Sequence, residues 1–453
     1  MVAGQMVAVR AIVAEFGAVL RLAVPIVAGL AASTLITVAD AVMLAPLGAV
    51  PLAAVGLTGA AAGLLYSAVY GVLSALSVRI GAAWGAGEER RIPLILRNGL
   101  VLGVATGIAA AMVMAAIWPL LGWMGQPAEV LAAMPGYWAL IALYMLPYAV
   151  LTVFKSAYEA VDRPWTGTVF AFMAVVLNVP LNAVFIYGFG PVPPLGLTGA
   201  GIASVLAESL ALAAALAYWR WAYATRRLRL RRDIGRAEMA ATLREGAPLG
   251  LLYVVESGSV TVATMLIGAF GTAALAGNQV AMAVGGVLYM VPVGVAGAVA
   301  ILVAQAKGAG ETDSLRAVVR AALVLVTGWL VLSALGLALG GRWLAGQMVV
   351  EPEVIEMAAA IMVIFALFQV IDGVQSTLQG ALRGLSDTAW PALISVLAYW
   401  VLSLPLGYAL GHWGGMGAPG IWTGFMLGLV VAAAALIWRF RRQMALLEAR
   451  AAV

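Results

Sequence analysis

The chain has 453 residues and no cysteine. That excludes a disulfide framework, a thiolate nucleophile and any cysteine-based metal site. Its single histidine, His412, leaves no material for a histidine-rich metal centre or for most imidazole acid–base constellations. Charge is scarce as well: Asp, Glu, Lys and Arg make up 10% of the residues, against about 25% in soluble domains. A nucleotide-binding phosphate loop is missing. The nearest approach, "GAAWGAG" at 81–87, lacks both the following lysine and a preceding strand. The net charge of +5 is no nucleic-acid signature, because the basic residues cluster at helix ends.

What is present is apolar sequence. Hydrophobic residues make up 64% of the chain, and many windows of about 20 residues carry no charge, each long enough to cross a hydrocarbon core about 30 Å thick. The reading is an all-α polytopic membrane protein. Twelve helices are expected at 18–45, 52–83, 97–121, 133–158, 165–189, 198–222, 246–270, 275–306, 316–340, 355–382, 390–412 and 418–440. The first apolar run, preceded by Arg10 and Arg21, is too long for a signal peptide and reads as a span. With twelve spans both termini share one side. That side collects Arg79, Arg90, Arg91, Arg97, Lys155, Arg163, Lys307, Arg316, Arg320 and Arg383, the linker from Arg220 to Arg244, and the tail Arg439, Arg441, Arg442 and Arg450. Only Arg342 falls opposite. The positive-inside rule then places both termini in the cytoplasm. The linker arginines serve as a topology signal and could also bind anionic lipid.

The chain repeats itself at a shift of 223. Pro25 coincides with Pro248, Gly48 with Gly271, Leu65-Tyr66 with Leu288-Tyr289, and Arg97 with Arg320. The loop Gly85-Ala86-Gly87-Glu88 falls on Gly308-Ala309-Gly310-Glu311. Six helices per repeat is an even number, so the halves run in the same direction. Parallel repeats imply two six-helix bundles around a central cleft, a transporter architecture. The expected division is a first bundle at 1–222, a basic linker at 223–245 and a second bundle at 246–453. Abundant Gly and Ala within the spans serve close helix packing in lipid. Pro25, Pro147, Pro180, Pro248, Pro292 and Pro405 are candidate kinks, either hinges or static bends.

Four carboxylates stand inside these spans: Asp40, Glu208, Glu256 and Asp372. A charge at the bilayer centre costs about 2.5 to 3.5 kcal/mol on insertion scales, so such residues face a polar interior. Ser33, Thr37 and Asp40 share one helix face, as do Asn178 and Asn182 on another helix; packed together they form a polar pocket, although an Asn pair can also simply join helices. Gln369, Asp372, Gln375, Ser376 and Gln379 form a polar stripe at helical spacing, and Glu256 is followed one turn on by Ser259. Asp40, Glu256 and Asp372 are therefore candidates to hold a proton, or Na⁺ at Asp40 or at Glu256 and Asp372. Glu208, whose neighbours are apolar apart from Ser204 and Ser209, reads as an acid held in helix packing by a hydroxyl or amide of a neighbouring helix, ahead of a transport role. Met43, Met282, Tyr289 and Met290 are mostly packing residues but suit a promiscuous cleft surface. Without a nucleotide loop, coupling to an ion gradient is the economical source of energy.

At these residues the chain resembles the MATE family of multidrug and toxic compound extrusion transporters, most closely its NorM-type bacterial branch. The resemblance is carried by "LAVPIV…VADAVML", the "GAG" loops, "VLNVPLN", "PLGLTGAGIA", "TAALAGNQVA", "IDGVQSTLQGALRG" and "YWVLSLPLGY". It implies export of amphipathic, mainly cationic drugs or dyes in exchange for H⁺ or Na⁺ by alternating access. It implies no cofactor, no nucleic-acid partner, a lipid environment in a bacterial inner membrane, and a monomer. By motif, Asp40, Asn178 and Asn182 match the family's polar site in the first half, and Glu256 and Asp372 its acidic sites in the second. Asn182 stands where some archaeal relatives use Asp, so a two-carboxylate site in the first half is not expected. A lipid-linked precursor flippase of the wider superfamily is the alternative; it would wall its cavity with Arg or Lys, whereas here the positives are expected at cytoplasmic ends. A membrane-embedded enzyme is disfavoured by the lone histidine.

Overall fold

The computed structural model describes residues 2–123, 125–222 and 235–451, with side chains within 14–123, 125–222 and 235–449. Linker residues Arg226, Arg227, Arg229, Arg231 and Arg232 lie outside the described residues. The helices are α1 (Val2–Leu44), α2 (Ala49–Gly85), α3 (Ile92–Trp123), α4 (Ala128–Ala133), α5 (Pro135–Ala160), α6 (Pro164–Tyr187) and α7 (Gly196–Trp221). They continue as α8 (Arg236–Gly268), α9 (Thr272–Ala309), α10 (Thr312–Met348), α11 (Pro352–Gly384), α12 (Ala389–Val396), α13 (Leu404–Tyr408) and α14 (Ala418–Ala451). Among the described residues, twelve segments are long and apolar enough to cross a membrane, as expected; α12 and α13 belong to one of them, Ala389–Trp413. The shortest has 24 residues, and at 1.5 Å per residue it reaches about 36 Å, enough for a bilayer core.

The duplication extends to the capping hydrogen bonds. After α2, the Glu88 N–H donates to the Ala83 carbonyl at 2.8 Å; after α9, the Glu311 N–H donates to the Ala306 carbonyl at 2.9 Å. Gly87 (φ 70°) and Gly310 (φ 76°) supply the left-handed residue that lets the chain turn back on the helix end. Arg163 N–H to Tyr158 and Asp387 N–H to Leu382, both 2.9 Å, repeat the same closure after α5 and α11.

The chain divides into two compact units, Ala28–Gly250, and Met1–Val27 together with Leu251–Val453. This differs from the expected division at 223–245. The changes of unit fall inside α1 and α8, two or three residues beyond the repeat-related Pro25 and Pro248. Glycines explain which unit each half-helix joins. In the Ala28–Gly250 unit, Gly71 of α2 meets Gly250 of α8 so closely that a Cβ on Gly71 would lie 2.7 Å from the Gly250 Cα. The repeat-related Gly294 of α9 is packed just as closely on Val27 of α1. The start of α8 is also pinned by charge. Arg79 donates to Glu238 (Nε, 2.9 Å) and to Glu245 (Nη1, 2.8 Å), and the Asn98 side chain clamps the backbone of Gly235 from both sides at 3.2 Å.

The Ala28–Gly250 unit has a core containing Phe154, Tyr158 and Trp219, where the Tyr158 hydroxyl donates to the Ala215 carbonyl at 2.9 Å. In the other unit Phe365, Phe368, Trp422 and Phe425 form the core, and Trp422 Nε1 donates to Asn278 Oδ1 at 2.8 Å. There the expected plain helix at 390–412 is interrupted by π-helical turns, Leu397–Ser403 and Ala409–Trp413. Pro405 follows the first of them; it lacks an N–H and its ring would crowd the carbonyl four residues back, which a wider turn relieves. Gly420, Gly424 and Gly428 of α14 lie so close to this segment that a Cβ on each would collide with Gly411, Gly407 and Ser403. Gly424→Ala should therefore lower the melting temperature in detergent, since overpacking costs about 1–3 kcal/mol. Gly286→Ala, where a Cβ meets nothing within 4 Å, is the matched control; equal melts for the two would show that α13 and α14 can part freely.

Candidate functional site

Each unit holds a cluster of polar residues around an intramembrane carboxylate. In the Ala28–Gly250 unit, Asp40 of α1, Asn178 and Asn182 of α6 and Ser204 of α7 close a ring of hydrogen bonds. Asn182 Nδ2 donates to Asp40 Oδ1 at 2.6 Å and to Asn178 Oδ1 at 2.9 Å. Asn178 Nδ2 donates to Ser204 Oγ, and Ser204 Oγ to Asp40 Oδ2, both at 3.1 Å. All four are buried, and the Asn182 amide oxygen has no partner. A buried acceptor left unpaired costs about 1–3 kcal/mol. The hydroxyl that reaches Asp40 is that of Ser204. Ser33 and Thr37 line the same cavity, but Ser33 donates to the Gly29 carbonyl of its own helix at 3.4 Å.

That cavity, about 410 Å³, brings one correction. Glu208 lines it together with Asp40, so a second carboxylate is present in this half although position 182 is Asn. Lys155, five residues from the end of α5, lines it too. The sequence signal for Glu208 lay in its spacing: Ser204 and Glu208 are four apart on α7 and so share a face.

In the other unit, the Glu256 carboxylate of α8 accepts from Gln379 Nε2 at 3.0 Å, and the same nitrogen donates to Ser395 Oγ at 3.0 Å. Asp372 accepts from the Tyr399 hydroxyl at 3.3 Å. The Tyr289 hydroxyl pairs with Ser376 Oγ at 2.6 Å and lies against Asp372. Tyr289 and Tyr399 each stand within electrostatic reach of both carboxylates. The π turn positions Tyr399, and beside it Trp400 Nε1 donates to the Val255 carbonyl at 3.1 Å, next to Glu256. Tyr399 and Ser395 were not foreseen, since their partners lie far away in sequence.

The predicted stripe on α11 splits. Asp372, Ser376 and Gln379 join the cluster around Glu256 and Tyr289. Gln369 instead donates to the Gly285 carbonyl of α9 at 2.7 Å, a helix-joining contact, and the amide of Gln375 is buried with neither atom paired. Ser259 bonds the backbone carbonyl of Glu256 at 2.7 Å rather than its carboxylate. Met43 and Met282 pack against the hydrophobic cores, the Met282 sulfur accepting from Asn278 Nδ2 at 3.6 Å. Met290 is half-buried on α9 beside Tyr289. Among the described residues no cluster of three or more His, Cys, Asp or Glu could hold a metal ion.

The MatE family model matches residues 25–184 and 248–409 of the chain. The chain is 35% identical over 447 residues to the probable multidrug resistance protein NorM of Deinococcus radiodurans, covering 94% of this chain and 95% of that protein. It is 31% identical to the probable multidrug resistance protein NorM of Pseudomonas putida, with 97% of each covered. Among solved structures, a MATE in the bent conformation superposes with a TM-score of 0.89 at 19% identity, over 98% of this chain and 99% of that one. The Vibrio cholerae MATE transporter VcmN in the bent form gives a TM-score of 0.86 at 23% identity, over 97% and 99%. The structural likenesses speak for the fold.

Proposed function

The chain belongs to the MatE family and is a multidrug efflux transporter of the NorM type, and from that premise we propose that it exports amphipathic, mainly cationic compounds in exchange for H⁺ or Na⁺ by alternating access. One observation carries the reading. The groups bonded to Asp40, Glu256 and Asp372 are neutral amides and hydroxyls. An intramembrane carboxylate without a fixed cation must take its counter-charge from an ion that comes and goes. The Asp40 ring suits either ion: the carboxylate accepts a proton, and the unpaired Asn182 oxygen adds a hard donor for Na⁺.

The ion and the cationic compound then use the same negative charge in turn. When the ion neutralises a carboxylate, the site loses its attraction for the cation and releases it. The setting is the cytoplasmic membrane of a bacterium with both termini in the cytoplasm, following the arginine asymmetry, and the working unit is a monomer. A flippase for an anionic pyrophosphate lipid fits less well, since the Ala28–Gly250 cavity carries one lysine beside two carboxylates.

The test is export of ethidium from proteoliposomes under a pH gradient or a Na⁺ gradient imposed separately. One gradient is expected to drive export and thereby name the ion. No export under either would end the antiport reading.

A further inference from the structure

Glu208 and Lys155 are left unused by the Asp40 ring, yet both line its cavity. Glu208 is 5% exposed and sits one turn beyond Ser204 on α7, about 6 Å along the axis from the ring. From α5, Tyr144, Tyr148, Thr152 and Lys155 line the same cavity at spacings of four, four and three, so they share one face. Tyr66 of α2 packs on Tyr144 (ring centroids 5.8 Å) and on Tyr148 (4.8 Å), and the Tyr144 hydroxyl is set against the Glu208 carboxyl. Lys155 acts on Glu208 electrostatically, but the two do not close an ion pair.

The lysine has a slot of its own. A Cβ on Gly29 would lie 3.0 Å from Lys155 Nζ, and one on Gly167 would lie 3.2 Å from Lys155 Cγ. The side chain thus lies close against Gly29 of α1 and Gly167 of α6, where a larger residue would make it shift. An ammonium on a flexible four-carbon stem can leave such a slot and return to it. The cavity thus offers an incoming organic cation three things: tyrosine faces, a carboxylate, and a resident charge that can withdraw.

We propose that Glu208 is a second carboxylate engaging the organic cation in this cavity, and that the Lys155 ammonium is its tethered counter-ion, displaced when the cation binds. The inference rests on the reading that this transporter handles cations. It adds a competitor built into the chain: in the empty cavity the Lys155 charge acts on Glu208 without closing an ion pair, and the cargo's charge takes over that role when it binds.

The test is equilibrium binding of tetraphenylphosphonium to the full-length protein in detergent, read as a double-mutant cycle. Glu208→Gln should weaken binding about tenfold and Lys155→Met should tighten it about fivefold, with the Lys155→Met gain shrinking below about twofold in the Glu208→Gln background. Glu208→Asp, which keeps the charge, should stay within about threefold of the wild type and serves if Glu208→Gln does not fold. Binding of the neutral dye Nile red should be unchanged throughout. The proposal is overturned if Lys155→Met tightens binding equally in both backgrounds, which is simple repulsion, or if Glu208→Gln weakens the neutral dye as much as the cation, which is structural collapse. No ion gradient enters this measurement. A wild type that binds as expected but does not export removes only the antiport reading. One that exports with no coupling in the cycle removes only the Glu208–Lys155 pair.

Discussion

Asp372→Asn and Glu256→Gln are each expected to reduce gradient-driven export of ethidium to the level of protein-free vesicles, with both purified proteins still folded. The two substitutions remove charge and leave geometry. An Asn at 372 keeps an oxygen for the Tyr399 hydroxyl, and a Gln at 256 keeps one for Gln379 Nε2. What each loses is the capacity to attract a cation or take up a proton. Because a buried charge carries a desolvation penalty of several kcal/mol, the neutral variants should melt at or above the wild-type temperature. The pair of results, transport lost and stability kept or raised, separates a carboxylate that works from one that only packs. Full transport by both variants would sink the assignment of this pocket.

The second large effect is expected at Asp40. Asp40→Asn should export at a rate that no longer responds to the imposed ion gradient, while binding of tetraphenylphosphonium persists through the carboxylates that remain. The hydrogen-bonded ring tolerates the change. The Asn oxygen still accepts from Asn182 Nδ2, and its amide nitrogen can donate to the Ser204 oxygen, which accepts as readily as it donates. Ser204→Ala is the companion variant, since it removes two of the ring's four hydrogen bonds without touching the charge; a smaller loss of gradient response is expected. Both are read from initial export rates at a series of imposed gradients. If Asp40→Asn follows the wild-type gradient dependence, Asp40 has no part in coupling.

Several features could be read directly from the residues. The twelve spans are legible because crossing a bilayer demands uninterrupted apolar windows, a property of local sequence. The duplication is legible because Gly87 and Gly310 meet the same backbone requirement at the same offset. Asp40, Glu256 and Asp372 stand out because a carboxylate in an apolar helix is expensive wherever that helix packs. Other features were not legible. Glu208 has only Ser204 and Ser209 as polar neighbours in sequence, and its significance comes from Tyr66, Tyr144 and Lys155, which the fold brings to the same cavity from α2 and α5. The α11 stripe reads as one surface, yet Gln369 turns to a backbone carbonyl of α9 while Gln379 reaches Glu256 on α8.

The same contrast governs the scaffold. Pro25 and Pro248 mark places where a helix can change direction, and that much is covalent geometry. Which unit each half-helix then joins depends on Gly71, Gly250 and Gly294 meeting partners far away in the chain. The π turns around Pro405 follow the same rule, since they exist where three glycines of α14 admit the neighbouring backbone. By itself the sequence determined the number of spans, the duplicated frame and which side chains are costly to bury, because desolvation and backbone conformation act residue by residue. The partners of those side chains, and with them the Asp40 ring, the Glu208–Lys155 cavity and the division into units, were decided only by tertiary packing, because a hydrogen bond or an electrostatic pair depends on distances that no local pattern encodes.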